Sequence, residues 1–151
     1  MPNAPWGAST VTDVLALSQR EAEAFVPEAG DVCISIRSHR AECPTLHPQW
    51  RDVLYLRFND VQCECHASPL GLSRPAARSL VEFVLRHHQS ATRIVVHCFV
   101  GVSRSVSVAA AIRAALGLPG TRDMILNPLA YNRVMEAFQL ESARLEEVPD
   151  A

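Results

Sequence analysis

The segment from Arg93 to Ser105 reads Arg-Ile-Val-Val-His-Cys-Phe-Val-Gly-Val-Ser-Arg-Ser, and its residue types suit covalent transfer of a phosphoryl group. The apolar, β-branched stretch before His97 forms a strand that delivers Cys98. A tight loop through Arg104 then runs into an Ala/Val-rich helix. A loop of this kind at a helix N-terminus gathers backbone N–H groups and the positive end of the helix dipole on one point, which binds anions. A cysteine at its mouth becomes a thiolate stabilised by the same field, and so a nucleophile near neutral pH. Arg104 adds a planar fork that matches two phosphate oxygens. The Cys-x5-Arg spacing alone is weak, since such pairs arise readily by chance. Context is what lifts Cys98 above an ordinary buried cysteine closing a core strand. Val95 and Val96 precede it, Gly101 permits a positive φ, and Ser103 and Ser105 supply hydroxyls. An apolar helix follows through Val106, Val108, Ala109, Ala110, Ile112 and Leu116. The other four cysteines have only His39, Gln49, Pro69 and Gly71 six residues on.

These residues resemble the His-Cys-x5-Arg-Ser signature of the protein tyrosine phosphatase superfamily, in its small dual-specificity-like branch. The resemblance is specific over Val53 to Leu116. It implies that Cys98 attacks phosphorus and that the phosphoryl oxygens bind Arg104 and the amides of Phe99, Val100, Gly101, Val102, Ser103 and Arg104. It further implies that the Ser105 hydroxyl assists Cys98 as leaving group. His97 should point to the opposite face from Cys98, because strand side chains alternate. For it the resemblance implies a supporting role, holding the loop by hydrogen bonds and helping to set the acidity of the thiol. Val100 departs from the family, where small residues are usual, and its branched side chain is a candidate to crowd the loop. Relatives acting on phosphoinositides often carry lysines in this loop, whereas Phe99, Val100 and Val102 add no charge.

The same chemistry needs a proton donor for the leaving oxygen. The family places an aspartate just after an earlier strand. Val53 to Phe58 reads as a strand and Asn59-Asp60 follow it, so Asp60 is expected to be the general acid, and afterwards the base that activates water. An Asx turn at the strand's end is the ordinary alternative for Asp60. Asp52 precedes the strand and belongs at the opposite edge of the sheet. Glu64 lies further along the same loop and stays open.

Acid and nucleophile can meet only if the intervening elements bring them to one edge. Strands at Asp31–Ile36, Val53–Phe58 and Ile94–His97 alternate with helices, the sign of a sheet covered on both faces. The expected fold is α/β: a mostly parallel sheet of about four to five strands flanked by helices, with the phosphate loop between strand and helix. Parallel strands would place Ser38–Arg40, Asn59–Asp60 and Cys98 together at the C-terminal edge, where open α/β sheets bind ligands. Arg37, His39 and Arg40 are then candidates for a substrate-facing rim. Ser18 and Glu21 have capping-box spacing for a helix through Val26, stopped by Pro27. Ser73 caps a helix through His88, and the helix after the loop ends at Gly117 with Pro119 beyond. Asn127-Pro128 opens a last long helix. At 151 residues, one catalytic domain accommodates all of this.

A formal charge of -2 implies no basic face for nucleic acid or an anionic membrane, and no apolar run reaches the length of a span. The N-terminus lacks the pattern of a signal peptide. An odd count of five cysteines, one of them a working thiolate, favours a reducing compartment and a cytoplasmic protein. Cys63-Glu64-Cys65-His66 lacks the second ligand pair of a closed zinc site, so neither metal nor cofactor is expected. Cys33 belongs mid-strand, and Cys43, in the following loop, is either inert or a resolving thiol for Cys98. The expected partner is a phosphorylated protein or a small phosphomonoester, with pocket depth set by Arg37–Trp50 and Val61–Leu72. Two rivals stay open: a rhodanese-like sulfurtransferase, and a phosphate-binding module without turnover.

Overall fold

The structure, a computed structural model, describes residues 4–64, 69–120 and 125–147. Four strands, β1 (Asp13–Ser18), β2 (Val32–Arg37), β3 (Asp52–Arg57) and β4 (Arg93–Cys98), form an all-parallel sheet in the order β1-β4-β2-β3. Helices α1 (Gln19–Ala24), α2 (Arg74–His87), α3 (Arg104–Leu116) and α4 (Pro128–Glu146) flank it. The α/β class expected from the alternation of elements is the one observed. Sequence patterning did not single out β1, an edge strand that pairs Val14 with Ile94 and Ser18 with Cys98.

The period of two sorts the strand residues between unequal cores. Val14, Val32, Ile34, Ile36, Leu56, Ile94, Val96 and Cys98 pack in the larger one, with residues of α2, α3 and α4. Cys33 and Val95 face the other side, where Trp50, Phe25 and Leu46 cover them. Both strand faces are thus buried in the middle of the sheet, as parallel sheets require.

Capping chemistry sets the helix ends. Ser18 and Glu21 close a reciprocal capping box on α1. Ser73 accepts the Ala76 N–H at the start of α2, and Gly117 ends α3 at φ 73°. Helix α1 stops at Ala24, two residues short of the expected Val26. Val26 precedes Pro27, which disfavours helical backbone there, and Phe25 is already extended and stacks on Trp50 with ring centroids 5.4 Å apart. At the N-terminal edge of the sheet, Arg93 pairs with buried Asp31, and Asp52 bonds the His87 ring at 2.8 Å. Among the described residues no helix is long and apolar enough to cross a membrane.

Candidate active site

Cys98 ends β4 in the middle of the sheet and is only 2 % exposed. Its Sγ receives the Gly101 N–H at 3.3 Å and the Ser105 N–H at 3.5 Å, and the Ser105 hydroxyl lies 3.2 Å away. The first turn of α3 therefore begins beside the sulfur, which places its helix dipole there. Gly101 sits at φ +84°, and a Cβ on it would come within 2.5 Å of the Ser18 nitrogen and 2.8 Å of the Leu17 carbonyl carbon. The end of β1 thus presses against the loop and leaves room only for glycine. The Gln19 N–H donates to the Phe99 carbonyl at 3.1 Å, fastening the loop to the start of α1. The Ser105 hydroxyl also lies 3.5 Å from the Leu17 carbonyl. Its single proton serves either that carbonyl or the sulfur, and a thiolate at the shorter distance is the stronger acceptor.

Arg104 is almost fully buried, and its Nη1 donates to Ser38 Oγ at 3.0 Å and to the Phe58 carbonyl at 2.9 Å. The guanidinium is therefore oriented by the C-terminal ends of both β2 and β3. His97 lies on the face opposite Cys98. Its Nε2 is 2.6 Å from Ser35 Oγ, and Nδ1 is 3.3 Å from the Cys98 carbonyl. A carbonyl only accepts, so the network assigns the proton to Nδ1 and leaves Nε2 to accept from the Ser35 hydroxyl. Burial, the largest cause, holds the imidazole below its ordinary value of 6.5. His97 thus acts on the loop as a neutral hydrogen-bonding group. The sequence places Ser38 at this edge without assigning it a partner, and it does not point to Ser35, whose one signal is being the lone hydroxyl within the apolar run of β2.

Asp60 is exposed and follows β3 at the same edge of the sheet as Cys98. Its Oδ1 accepts two bonds, from the Ser103 hydroxyl of the loop after Cys98 at 2.8 Å and from Asn127 Nδ2 at 2.7 Å. Asn59 shapes the turn before it, accepting the His39 N–H on its side-chain oxygen and donating its own N–H to the Leu70 carbonyl. The other acidic candidates are engaged elsewhere. Asp52 is at the opposite edge with His87, and Glu64 pairs with Arg133 of α4 at 2.6 Å. Phe99, Val100 and Val102 are all more than half exposed; the crowding foreseen for Val100 does not occur, because its side chain turns outward at 62 % exposure. Arg40 and His39 are exposed at the rim, as solvated loop residues would also be.

Of the remaining thiols, Cys33 is buried in β2 and desolvation pushes it up to about 12, which makes it inert. Cys43 is free and exposed. Cys63 is disulfide-bonded, which the count of cysteines had not suggested; Cys65 and His66 lie outside the described residues.

No family model matches the chain, and no curated protein matches it significantly. Among solved structures, the crystal structure of human DUSP28 is similar over 92 % of this chain and 94 % of that one, at 19 % sequence identity and a TM-score of 0.44.

Proposed function

We propose that this chain is a cysteine-dependent phosphomonoester hydrolase of protein tyrosine or dual-specificity type, acting on a phosphorylated protein or a small phosphomonoester. The observation that supports this best is the convergence of two backbone N–H groups and the Ser105 hydroxyl on Cys98 Sγ, with Asp60 bonded to the same loop. A structural cysteine has no need of such donors. In the first step the Cys98 thiolate attacks phosphorus and the ester P–O bond breaks. The leaving oxygen takes the electron pair and a proton from Asp60. Arg104 and the start of α3 offset the charge on the phosphoryl oxygens. In the second step Asp60, now a carboxylate, removes a proton from water as that water attacks the phosphocysteine. Orthophosphate departs and sulfur leaves as thiolate, accepting from the Ser105 hydroxyl.

The deciding experiment is an aryl phosphate assay in EDTA on wild type and Cys98→Ser, with acid quenching to trap the phosphoenzyme. Wild type should release phosphate without added metal, since loop, dipole and Arg104 supply the positive charge, and should accumulate a covalent intermediate that Cys98→Ser lacks. Sulfur transfer from thiosulfate to cyanide in place of phosphate release would overturn the reading.

A further inference from the structure

We propose that Asn127 is a positioning residue for the general acid: its side-chain amide holds Asp60 Oδ1, so that Oδ2 presents the proton to the leaving oxygen. This rests on the hydrolase reading above. Asn127 is fully buried although Asp60 is exposed. It is fixed from three directions. Its backbone N–H donates to Ser107 Oγ of α3 at 3.0 Å, and its side-chain Oδ1 accepts the Ala130 N–H of α4 at 3.0 Å. Its Nδ2 donates to Asp60 Oδ1 at 2.7 Å. The Ala130 bond settles which end of the amide is which: only an oxygen can accept from a backbone N–H, so the end facing Asp60 is the donor.

That donor has a consequence for the proton. Asp60 Oδ1 already accepts from Ser103 Oγ and from Asn127 Nδ2, so in the acid form the carboxyl proton belongs on Oδ2. An exposed aspartate would otherwise sample several rotamers and present either oxygen. Two donors from different segments select one. When the P–O bond breaks and Oδ2 gives its proton to the departing oxygen, Asp60 becomes a carboxylate and both bonds to Oδ1 become charge-assisted, hence stronger. The clamp therefore favours the transition state over the ground state, as a catalytic interaction must.

The test must separate aiming from capping, because Asn127 is also the N-cap of α4. Asn127→Ser retains a good capping oxygen but is too short to reach Asp60. For an alkyl phosphate with a poor leaving group, kcat should fall about 10- to 100-fold with KM within about twofold, the cost of a misplaced acid. The loss should be several-fold smaller for 4-nitrophenyl phosphate, and in an Asp60→Asn background the same change should add less than about twofold. Equal losses on both substrates, or losses that multiply with Asp60→Asn, overturn the clamp. A normal loss in Asp60→Asn beside full rates in Asn127→Ser overturns the clamp alone, whereas wild-type rates in Asp60→Asn overturn the acid assignment with it. Asn127→Thr, which also keeps a capping oxygen but is too short to reach Asp60, is read by the same criteria if Asn127→Ser does not fold.

Discussion

The loop that holds Cys98 and the seat that holds Asp60 share one hydrogen bond, yet they are built on opposite principles. Within the loop, the bonds to the sulfur span three to seven residues, and one strand–loop–helix segment supplies them all. Asp60 depends on partners 43 and 67 residues away, each on a separately folded element. The contacts to the sulfur are therefore local to one segment, although Leu17 and Ser18 press on the loop from behind and Ser38 and Phe58 hold Arg104. Asp60 is held in place only after β3, α3 and the start of α4 have docked. If Asp60 is the acid, changes at the start of α4 should weaken proton transfer before they weaken phosphate binding, because Asn127 bonds Asp60 and not the sulfur or Arg104.

The sharpest attack on this contrast is Cys98→Ser. It should abolish turnover while still binding tungstate, since the loop amides and Arg104 remain; calorimetric titration checks the binding. Undiminished hydrolysis would remove the covalent mechanism. Next in size is Asp60→Asn, expected to cost ~10²–10⁴-fold in kcat on poor leaving groups, with little change in KM. Asp52→Asn and Glu64→Gln are the controls, and a larger loss in either would move the acid.

Gly101→Ala attacks the local half. The positive φ alone costs an L-residue about 1–2 kcal/mol, and the Cβ must also displace the β1 backbone at Ser18. Urea midpoints should fall by at least that equivalent, and activity should fall with them. The smallest effect is on pH. His97 is held below its ordinary value, so the unfolded chain binds more protons than the folded one as pH drops through 6.5. Stability is then full above 6.5 and declines on acidification, by at most about 1.4 kcal/mol per pH unit for one group. Buried His88 is shifted the same way. Urea midpoints from pH 7.5 to 5.5 should show the decline, and His97→Asn should flatten part of it.

The sequence by itself determined what neighbouring residues decide. Ile94 to Ser105 reads directly as strand, loop and helix because β-branched runs, a positive-φ glycine and a following apolar helix act over a few residues. The caps at Ser18, Ser73 and Asn127 and the stop at Gly117 were legible for the same reason: each satisfies backbone groups within one turn. Tertiary structure decided everything that needed two distant segments in register. Edge strand β1 is an unremarkable Val-Leu-Ala-Leu run until β4 pairs with it. Ser35 and Ser38 are plain serines until β2 sets one against His97 and the other against Arg104. What sets Asp60 apart from Glu64 is α4, which draws Glu64 to Arg133 while its capping residue, Asn127, turns its other hand to Asp60. Spacing along a chain reveals bonds that close short loops; only packing reveals which distant side chains end within three ångströms of one another.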